Sequence, residues 1–187
     1  FVLDDGTTRI ALTVVDSCML PRELLDAAKT EASKRTGIPI DHMLISATHT
    51  HSAPSSMGCL GSRVDPNYPA FLIPRTARAI EKANDKLQPA QIGFAKFHAP
   101  NYTYCRRYIR RSDRVFNDPF GDLNVRAHMH PGFLSSDAIG PSGPVDDELS
   151  LLAMQTTDGK PLGVLANFSM HYIGSSLLSS DYFGRFA

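Results

Sequence analysis

The chain has 187 residues and equal numbers of acidic and basic side chains, so its formal net charge is zero. This length is enough for one domain with a real core, and an apolar content of 42% is typical of a globular protein. The balanced charge gives no electrostatic reason to expect a nucleic acid as partner.

The first part of the chain has the pattern of a strand, a helix and a strand. Residues 10–15 form a nearly continuous apolar run, which is typical of a buried strand. A helix is predicted over 22–35, because Pro21 suits a first helical turn and Gly37 suits an end. The next strand is predicted over 43–47. This order predicts two parallel strands, and hence an α/β fold with a layered mixed β-sheet and flanking helices.

A short strand is predicted over residues 1–4. Further along the chain, one helix and three strands are predicted over residues 69–87, 91–97, 149–156 and 162–169. Pro74 predicts either a kink in this helix or its true start. Asp158-Gly159 is typical of a tight hairpin turn between the last two strands. Residues 98–147 contain several prolines and show no clear periodicity, so a long irregular segment is expected there.

Two histidines, His49 and His51, follow the strand predicted over 43–47 and lead into a loop rich in Ser, Gly and Pro. Alternate side chains of an extended chain share a face, so both imidazoles can point into one site. A neutral imidazole binds metals such as zinc, and a second imidazole can move protons. Ligands of open α/β sheets bind beyond the carboxyl ends of strands, which is where Asp16 and His49 lie.

His171 follows the last predicted strand, as His49 and His51 follow an earlier one. A catalytic zinc takes about three protein ligands and one water, so these histidines are the main candidates, provided that the fold brings them together. Asp16 and Asp181 are further candidates for a ligand or for a partner of a ligand. The alternative for each is ordinary: Asp16 ends a strand, and Asp181 caps a helix.

Other polar groups are weaker candidates. His128 and His130 form a second His-x-His pair, which we expect on the surface because no apolar strand precedes it. The cysteines show no Cys-x-x-Cys spacing and are expected to be small incidental side chains; they are Cys18, Cys59 and Cys105. A basic cluster is expected to be a solvated face, with an anion or carbonyl contact for one member as the alternative. Its members are Arg106, Arg107, Arg110, Arg111 and Arg114.

Residues 45–54 read Ile-Ser-Ala-Thr-His-Thr-His-Ser-Ala-Pro. This stretch closely resembles the SATHTHSGP motif of the neutral/alkaline non-lysosomal ceramidases. Two later blocks resemble the same family: residues 144–171, which end in Asn-Phe-Ser-Met-His, and residues 179–184, which contain Ser-Ser-Asp. The resemblance runs in order from Ala11 onward.

The resemblance implies a zinc-dependent amidase with an α/β catalytic domain. It assigns the metal ligands to His49 and His171, and it makes His51 a catalytic residue beside the metal. Arg106, or Arg107 if the register shifts by one, would hold a hydroxyl or carbonyl of the substrate. The expected substrate is a small lipid with an N-acyl amide, ceramide or a relative of it. The expected location is extracytoplasmic or secreted, and association with a membrane surface is compatible with it.

By the same resemblance, residues 1–187 are part of one ceramidase-like catalytic domain that is truncated at both ends. The family's serine nucleophile and its Glu and Tyr metal ligands would fall after Ala187. We therefore expect this chain alone to bind metal weakly and to have little activity.

Departures from the family pattern leave other functions open. The loop after His51 reads Ser-Ala-Pro-Ser-Ser, and Cys105 stands where the family has Asn. A different N-acyl or ester substrate is therefore compatible with the sequence. The alternatives to such a hydrolase are a catalytically degenerate homologue that serves as a binding or structural domain, and a metallo-phosphoesterase.

Overall fold

The computed structural model describes residues 1–59, 61–132, 134–172, 174, 177–179 and 181–187. Its helices are α1 (Arg22–Thr36), α2 (Tyr68–Asp85) and α3 (Phe183–Phe186). Its strands are β1 (Val2–Asp4), β2 (Arg9–Val15), β3 (Met43–Ala47), β4 (Ala90–His98), β5 (Arg107–Arg110), β6 (Phe116–Asn117), β7 (Leu123–Val125), β8 (Ala127–Met129), β9 (Ala138–Pro141), β10 (Glu148–Thr156) and β11 (Pro161–Asn167). The mixture of helices and several small sheets confirms the α/β class. The chain forms two compact units, one of residues 1–89 with 171–187 and the other of residues 90–170.

The first unit is built on the mixed sheet β1-β2-β3. β1 runs antiparallel to β2, and β2 runs parallel to β3 in a register that pairs Ala11 with Met43 and Val15 with Ala47. The parallel pairing predicted from the strand–helix–strand pattern is therefore confirmed. Because Val15 and Ala47 are the last residues of their strands, both carboxyl ends meet at one edge of the sheet.

Helices α1 and α2 pack together over this sheet. The buried face of α1 consists of Leu24, Ala28 and Ala32, which recur every four residues as an amphipathic helix requires. α1 ends at Gly37, whose φ of 73° is the left-handed conformation that glycine adopts without strain. Pro74 lies inside α2, so the alternative that this helix begins at Pro74 is wrong. The core cluster comprises Val2, Ala11, Ala32, Ile38, Met43, Ala77 and Ile80.

The second unit contains three small antiparallel sheets, with strand orders β11-β10-β4, β8-β5-β9 and β6-β7. The predicted hairpin is present, and Gly159 in its turn has a φ of 87°. The prediction that residues 98–147 are irregular is wrong, because β5 to β9 lie within them. These strands have two to four residues each, which is too short for an alternating pattern to stand out in the sequence.

In the part of the chain that the structure describes, no helix combines the length and the apolar character needed to cross a membrane.

Candidate metal centre

The edge at which β2 and β3 end positions His49. Beyond β3, the Thr48 N–H donates a hydrogen bond to the Val15 carbonyl at 3.0 Å, so the chain stays attached to the end of β2. His49 then adopts a φ of 63°, a left-handed conformation that is uncommon for any residue except glycine. Such strained residues cluster at functional sites. A turn at His49, and not the alternation of an extended strand, therefore sets the directions of the two histidines.

Hydrogen bonds define which nitrogen of two imidazoles remains available. His49 Nδ1 lies 2.9 Å from the Cys18 carbonyl oxygen, and His171 Nδ1 is hydrogen-bonded to the Tyr172 carbonyl oxygen. A carbonyl only accepts, so in the neutral form of both rings the proton lies on Nδ1 and Nε2 has the lone pair. A histidine that binds a metal through one ring nitrogen usually donates a hydrogen bond from the other ring nitrogen, often to a backbone carbonyl.

Cys18, His49 and His51 form a group that can hold a metal ion, because their ligand atoms all lie within 4.8 Å of one another. The Cys18 Sγ is 3.8 Å from His49 Nδ1. Two ligands of a tetrahedral zinc lie roughly 3.3–3.6 Å apart, since the bonds are about 2.0–2.3 Å long. The 4.8 Å limit exceeds this spacing by about 1 Å. Closing the group through His49 Nδ1 would also require the hydrogen bond from His49 to the Cys18 carbonyl to break.

The sequence did not identify Cys18 as a candidate ligand. Cys18 lies three residues after the end of β2, and His49 likewise lies just past the end of β3. This similar position was the feature of the sequence that could have identified Cys18. Burial raises the pKa of the Cys18 thiol, and the nearby Cys59 adds to this effect. The group is therefore a neutral thiol at neutral pH as long as no cation stabilises the thiolate.

The ring of His171 completes a cluster of three imidazoles. The ring centres are 5.0 Å apart for His49 and His51, 5.3 Å for His49 and His171, and 5.0 Å for His51 and His171, with interplanar angles of 75°, 79° and 86°. Three imidazoles on one tetrahedral zinc would have their ring centres about 5 Å apart, with Zn–N bonds of about 2.0–2.1 Å. Edge-to-face rings prefer the same spacing without an ion. The ring spacing alone therefore does not distinguish a shared ion from simple ring packing. Among the described residues, the group whose ligand atoms all lie within 4.8 Å of one another does not include His171, so His171 would have to move to share an ion with it.

Neighbouring residues hold the cluster in place. Tyr172 is 1% exposed, its ring stacks on that of His51 at 6.1 Å, and its hydroxyl donates a hydrogen bond of 2.6 Å to the Ser179 carbonyl. Thr50, between the two histidines, is 3% exposed and anchors the loop. Gly174 lies so close to His51 that an added Cβ would be 3.1 Å from the His51 Cβ. These contacts restrain the chain around the cluster, and the side chains of His51 and His171 remain exposed.

A cavity of about 210 Å³ opens beside His51. Its walls include the sulfur-containing side chains of Cys18, Met57 and Cys59, together with several serines. Pockets for drug-sized ligands have volumes of about 300–1,000 Å³. This cavity therefore fits a compact chemical group next to His51.

The two candidate aspartates do not belong to the Cys18–His49–His51 group, as far as the described residues show. The Asp16 carbonyl accepts a hydrogen bond from the Tyr68 hydroxyl at 3.3 Å. Asp181 has a φ of 49°, and its Oδ1 accepts a hydrogen bond from the Tyr182 N–H just before α3. Asp16 directly follows β2, as its structural alternative predicted. The N-cap of α3 is Tyr182, without a side-chain cap hydrogen bond, so the prediction that Asp181 caps a helix is wrong. Ser180, in the same predicted cap, lies outside the described residues.

Arg106 and Arg107 belong to the second unit. Arg106 is exposed and directly precedes β5, and Arg107 is the first residue of that strand. Their assignment to substrate binding stays a prediction. His128 lies in the middle of β8 and is half-buried, so the expectation of a surface loop is wrong for this residue. His130 follows the strand and is exposed, as expected.

No protein-family model matches the chain. The resemblance to the ceramidases therefore depends on the motifs quoted above, and the function that it implies is a proposal.

Proposed function

We propose that this protein is a zinc-dependent hydrolase of the ceramidase-like family, which cleaves the N-acyl amide of ceramide or of a related lipid. One observation carries the proposal. His49 and His51 come from one loop, His171 comes from a segment 120 residues further along, and the three rings meet at 5.0–5.3 Å beside the Cys18 thiol. These are also the histidines to which the resemblance assigns the chemistry.

The donor atoms favour zinc over magnesium and calcium. Imidazole nitrogen and thiolate sulfur are preferred by zinc, whereas magnesium and calcium prefer oxygen. In the described part of the chain, the Cys18–His49–His51 group includes no carboxylate. Two-metal phosphoesterases usually need several carboxylates, so the donor set supports the amidase over the metallo-phosphoesterase.

Two ligand sets are compatible with the proposal, and His49 belongs to both. The resemblance implies His49 and His171, whose Nε2 atoms are both left available by their backbone hydrogen bonds. The tight group adds Cys18 and His51. Binding through His49 Nδ1 instead would require the hydrogen bond from His49 to the Cys18 carbonyl to break.

Other residues of the chain would prepare the substrate. A bound zinc would supply Lewis-acid polarisation of a carbonyl or of a water. His51 is exposed at the cavity and can accept or donate a proton at a ring nitrogen next to that centre. In the proposal, Arg106 donates hydrogen bonds to a hydroxyl or carbonyl of the substrate.

Zinc stoichiometry tests the proposal directly. We would measure bound zinc by elemental analysis after equilibrium dialysis against a saturating zinc concentration, which also detects the weak binding expected of this chain alone, for wild type, His49→Ala and His171→Ala. His42→Ala is the matched control, because its imidazole is bonded to the Arg9 carbonyl and lies in a different part of the first unit. We expect about one zinc per chain in wild type and in the control, and much less in the other two variants.

Zinc content that neither His49→Ala nor His171→Ala lowers would contradict the proposal. The protein would then be better described as a binding or structural domain of the same ancestry. If the zinc is confirmed, fatty-acid release from ceramide and from amides with shorter acyl chains would identify the substrate. Release from none of these amides by a zinc-loaded protein would restrict the proposal to metal binding.

A further inference from the structure

The basic cluster of the second unit contains two arginines with acidic partners, two exposed arginines and one buried arginine. Arg111 forms an ion pair with Asp113 at 2.9 Å, and Arg114 lies 3.6 Å from Asp137. Arg110 is only 8% exposed, and the described residues provide no ion pair for it. The sequence left open a contact between one member of this cluster and an anion. The burial of Arg110 without an acidic partner is a structural reason to expect that contact at Arg110.

A buried guanidinium without an acidic partner is costly. The group stays charged at any accessible pH, and buried charges are normally paired and fully hydrogen-bonded. The Arg110 Nε is buried and has no hydrogen-bond partner among the described groups. The Arg110 guanidinium carbon lies 4.0 Å from the centre of the Phe116 ring. This stacking stabilises the face of the cation but supplies no acceptor for the N–H groups at its edge.

A second unpartnered nitrogen lies on the same face of the same sheet. The Nδ1 of His128 is buried and also lacks a partner among the described groups. Tyr108 pairs with His128 across β5 and β8, so these two side chains share a face. Arg110 follows Tyr108 by two residues, and successive side chains of a strand alternate. Arg110 and His128 therefore project from the same side of the β8-β5-β9 sheet.

Arg126 adds a second positive charge opposite Arg110. The Arg110 N–H donates to the Arg126 carbonyl at 2.6 Å, which continues the ladder beyond β8, and an Arg126 Nη donates to the Arg110 carbonyl at 3.4 Å. Like charges directly opposite each other in a sheet are destabilising. A bound anion between them would remove this repulsion and would supply acceptors for the unpartnered nitrogens.

We propose that this surface, the Arg110 face (Tyr108, Arg110, Arg126 and His128), binds a phosphate group. Two guanidinium groups match the two negative charges of a phosphate, and arginine binds such oxyanions through paired N–H donors. The tyrosine hydroxyl and the imidazole offer further polar contacts on the same side. None of these residues belongs to the metal centre, so the proposal is independent of the zinc hydrolase.

Thermal unfolding of the whole chain in phosphate is the test. At constant ionic strength, set with sodium chloride, inorganic phosphate is expected to raise Tm in a saturable way. Arg110→Lys keeps the charge but loses Nε, and Arg126→Gln removes the exposed charge. Each is expected to weaken the apparent phosphate affinity about tenfold or more. Arg107→Gln is the matched control, because Arg107 is exposed and, at an odd spacing from Arg110, lies on the opposite face.

The results separate the possible outcomes. No Tm increase in phosphate over chloride, or equal responses of the Arg126→Gln variant and wild type, would overturn the proposal. A loss of response in Arg107→Gln as large as in Arg126→Gln would also overturn it, because the effect would then be general charge screening. Flotation with phosphatidylcholine vesicles, with and without phosphatidic acid, distinguishes the two sources of a phosphate group. Binding to the phosphatidic acid vesicles would assign the face to a lipid headgroup, and a response to inorganic phosphate alone would assign it to a free phosphate.

Discussion

Replacing Gly174 with alanine tests how closely the chain after His171 approaches the imidazole cluster. Gly174 has a φ of 84°, and an alanine Cβ would lie 3.1 Å from the His51 Cβ and 3.7 Å from its Cγ. A contact of 3.1 Å is shorter than ordinary van der Waals contact, so His51 must move by a few tenths of an ångström. The substitution therefore acts on the position of a proposed catalytic side chain without changing its chemistry.

The size of the effect follows from two contributions. A left-handed conformation costs an alanine about 1–2 kcal/mol, and the reduced freedom of the unfolded chain returns about 0.4–1 kcal/mol. The net backbone cost is thus about 0–1.6 kcal/mol. Overpacking against His51 adds about 1 kcal/mol or more. We expect Gly174→Ala to lower the free energy of unfolding by about 1–3 kcal/mol in total.

Gly159→Ala is the matched control for the backbone cost. Gly159 has a φ of 87°, and nothing lies within 4 Å of the place of its Cβ. Urea unfolding of both variants, followed by zinc titration against a competing chelator, separates the contributions. Gly174→Ala is expected to be the less stable variant and to bind zinc more weakly than wild type, whereas Gly159→Ala is expected to keep the wild-type zinc affinity. Equal stability and equal zinc affinity of the two variants would refute the proposed contact with His51.

Three further predictions concern other parts of the chain. With cobalt in place of zinc, a thiolate-to-metal charge-transfer band is expected in wild type and in Cys59→Ser but not in Cys18→Ser; a band that persists in Cys18→Ser would exclude this thiol as a ligand. Ile80→Ala, at a core position that is 2% exposed, is expected to cost about 2–5 kcal/mol in urea unfolding, and a loss below about 1 kcal/mol would contradict the packing described for α2. The Asp147 carboxylate, 2.7 Å from His98 Nδ1, raises the pKa of His98 above 6.5. The resulting stabilisation is expected to be present near pH 6 and to be lost as the pH rises through the raised pKa; a His98→Gln variant whose Tm difference from wild type does not change with pH would contradict this.

Apolar patterns in the sequence were sufficient for the largest elements. The buried strands β2 and β3, the helix α1 with its stripe of Leu24, Ala28 and Ala32, and the β10–β11 hairpin were all predicted. Each depends on a local preference that is repeated over many residues, or on a turn dipeptide with a specific conformation. The strands β5 to β9 were missed because two to four residues carry too little periodic signal.

For the candidate site, the sequence determined which residues carry the chemistry, and the tertiary structure decided which of them meet. His49 and His51 were visible as a motif, but the left-handed φ of His49, next to the hydrogen bond from Thr48 to the end of β2, was not. Cys18 meets His49 only because β2 and β3 pair in parallel with their last residues side by side. His171 joins them across more than a hundred residues. Contacts of this kind arise from long-range packing, which the local composition of the chain does not encode.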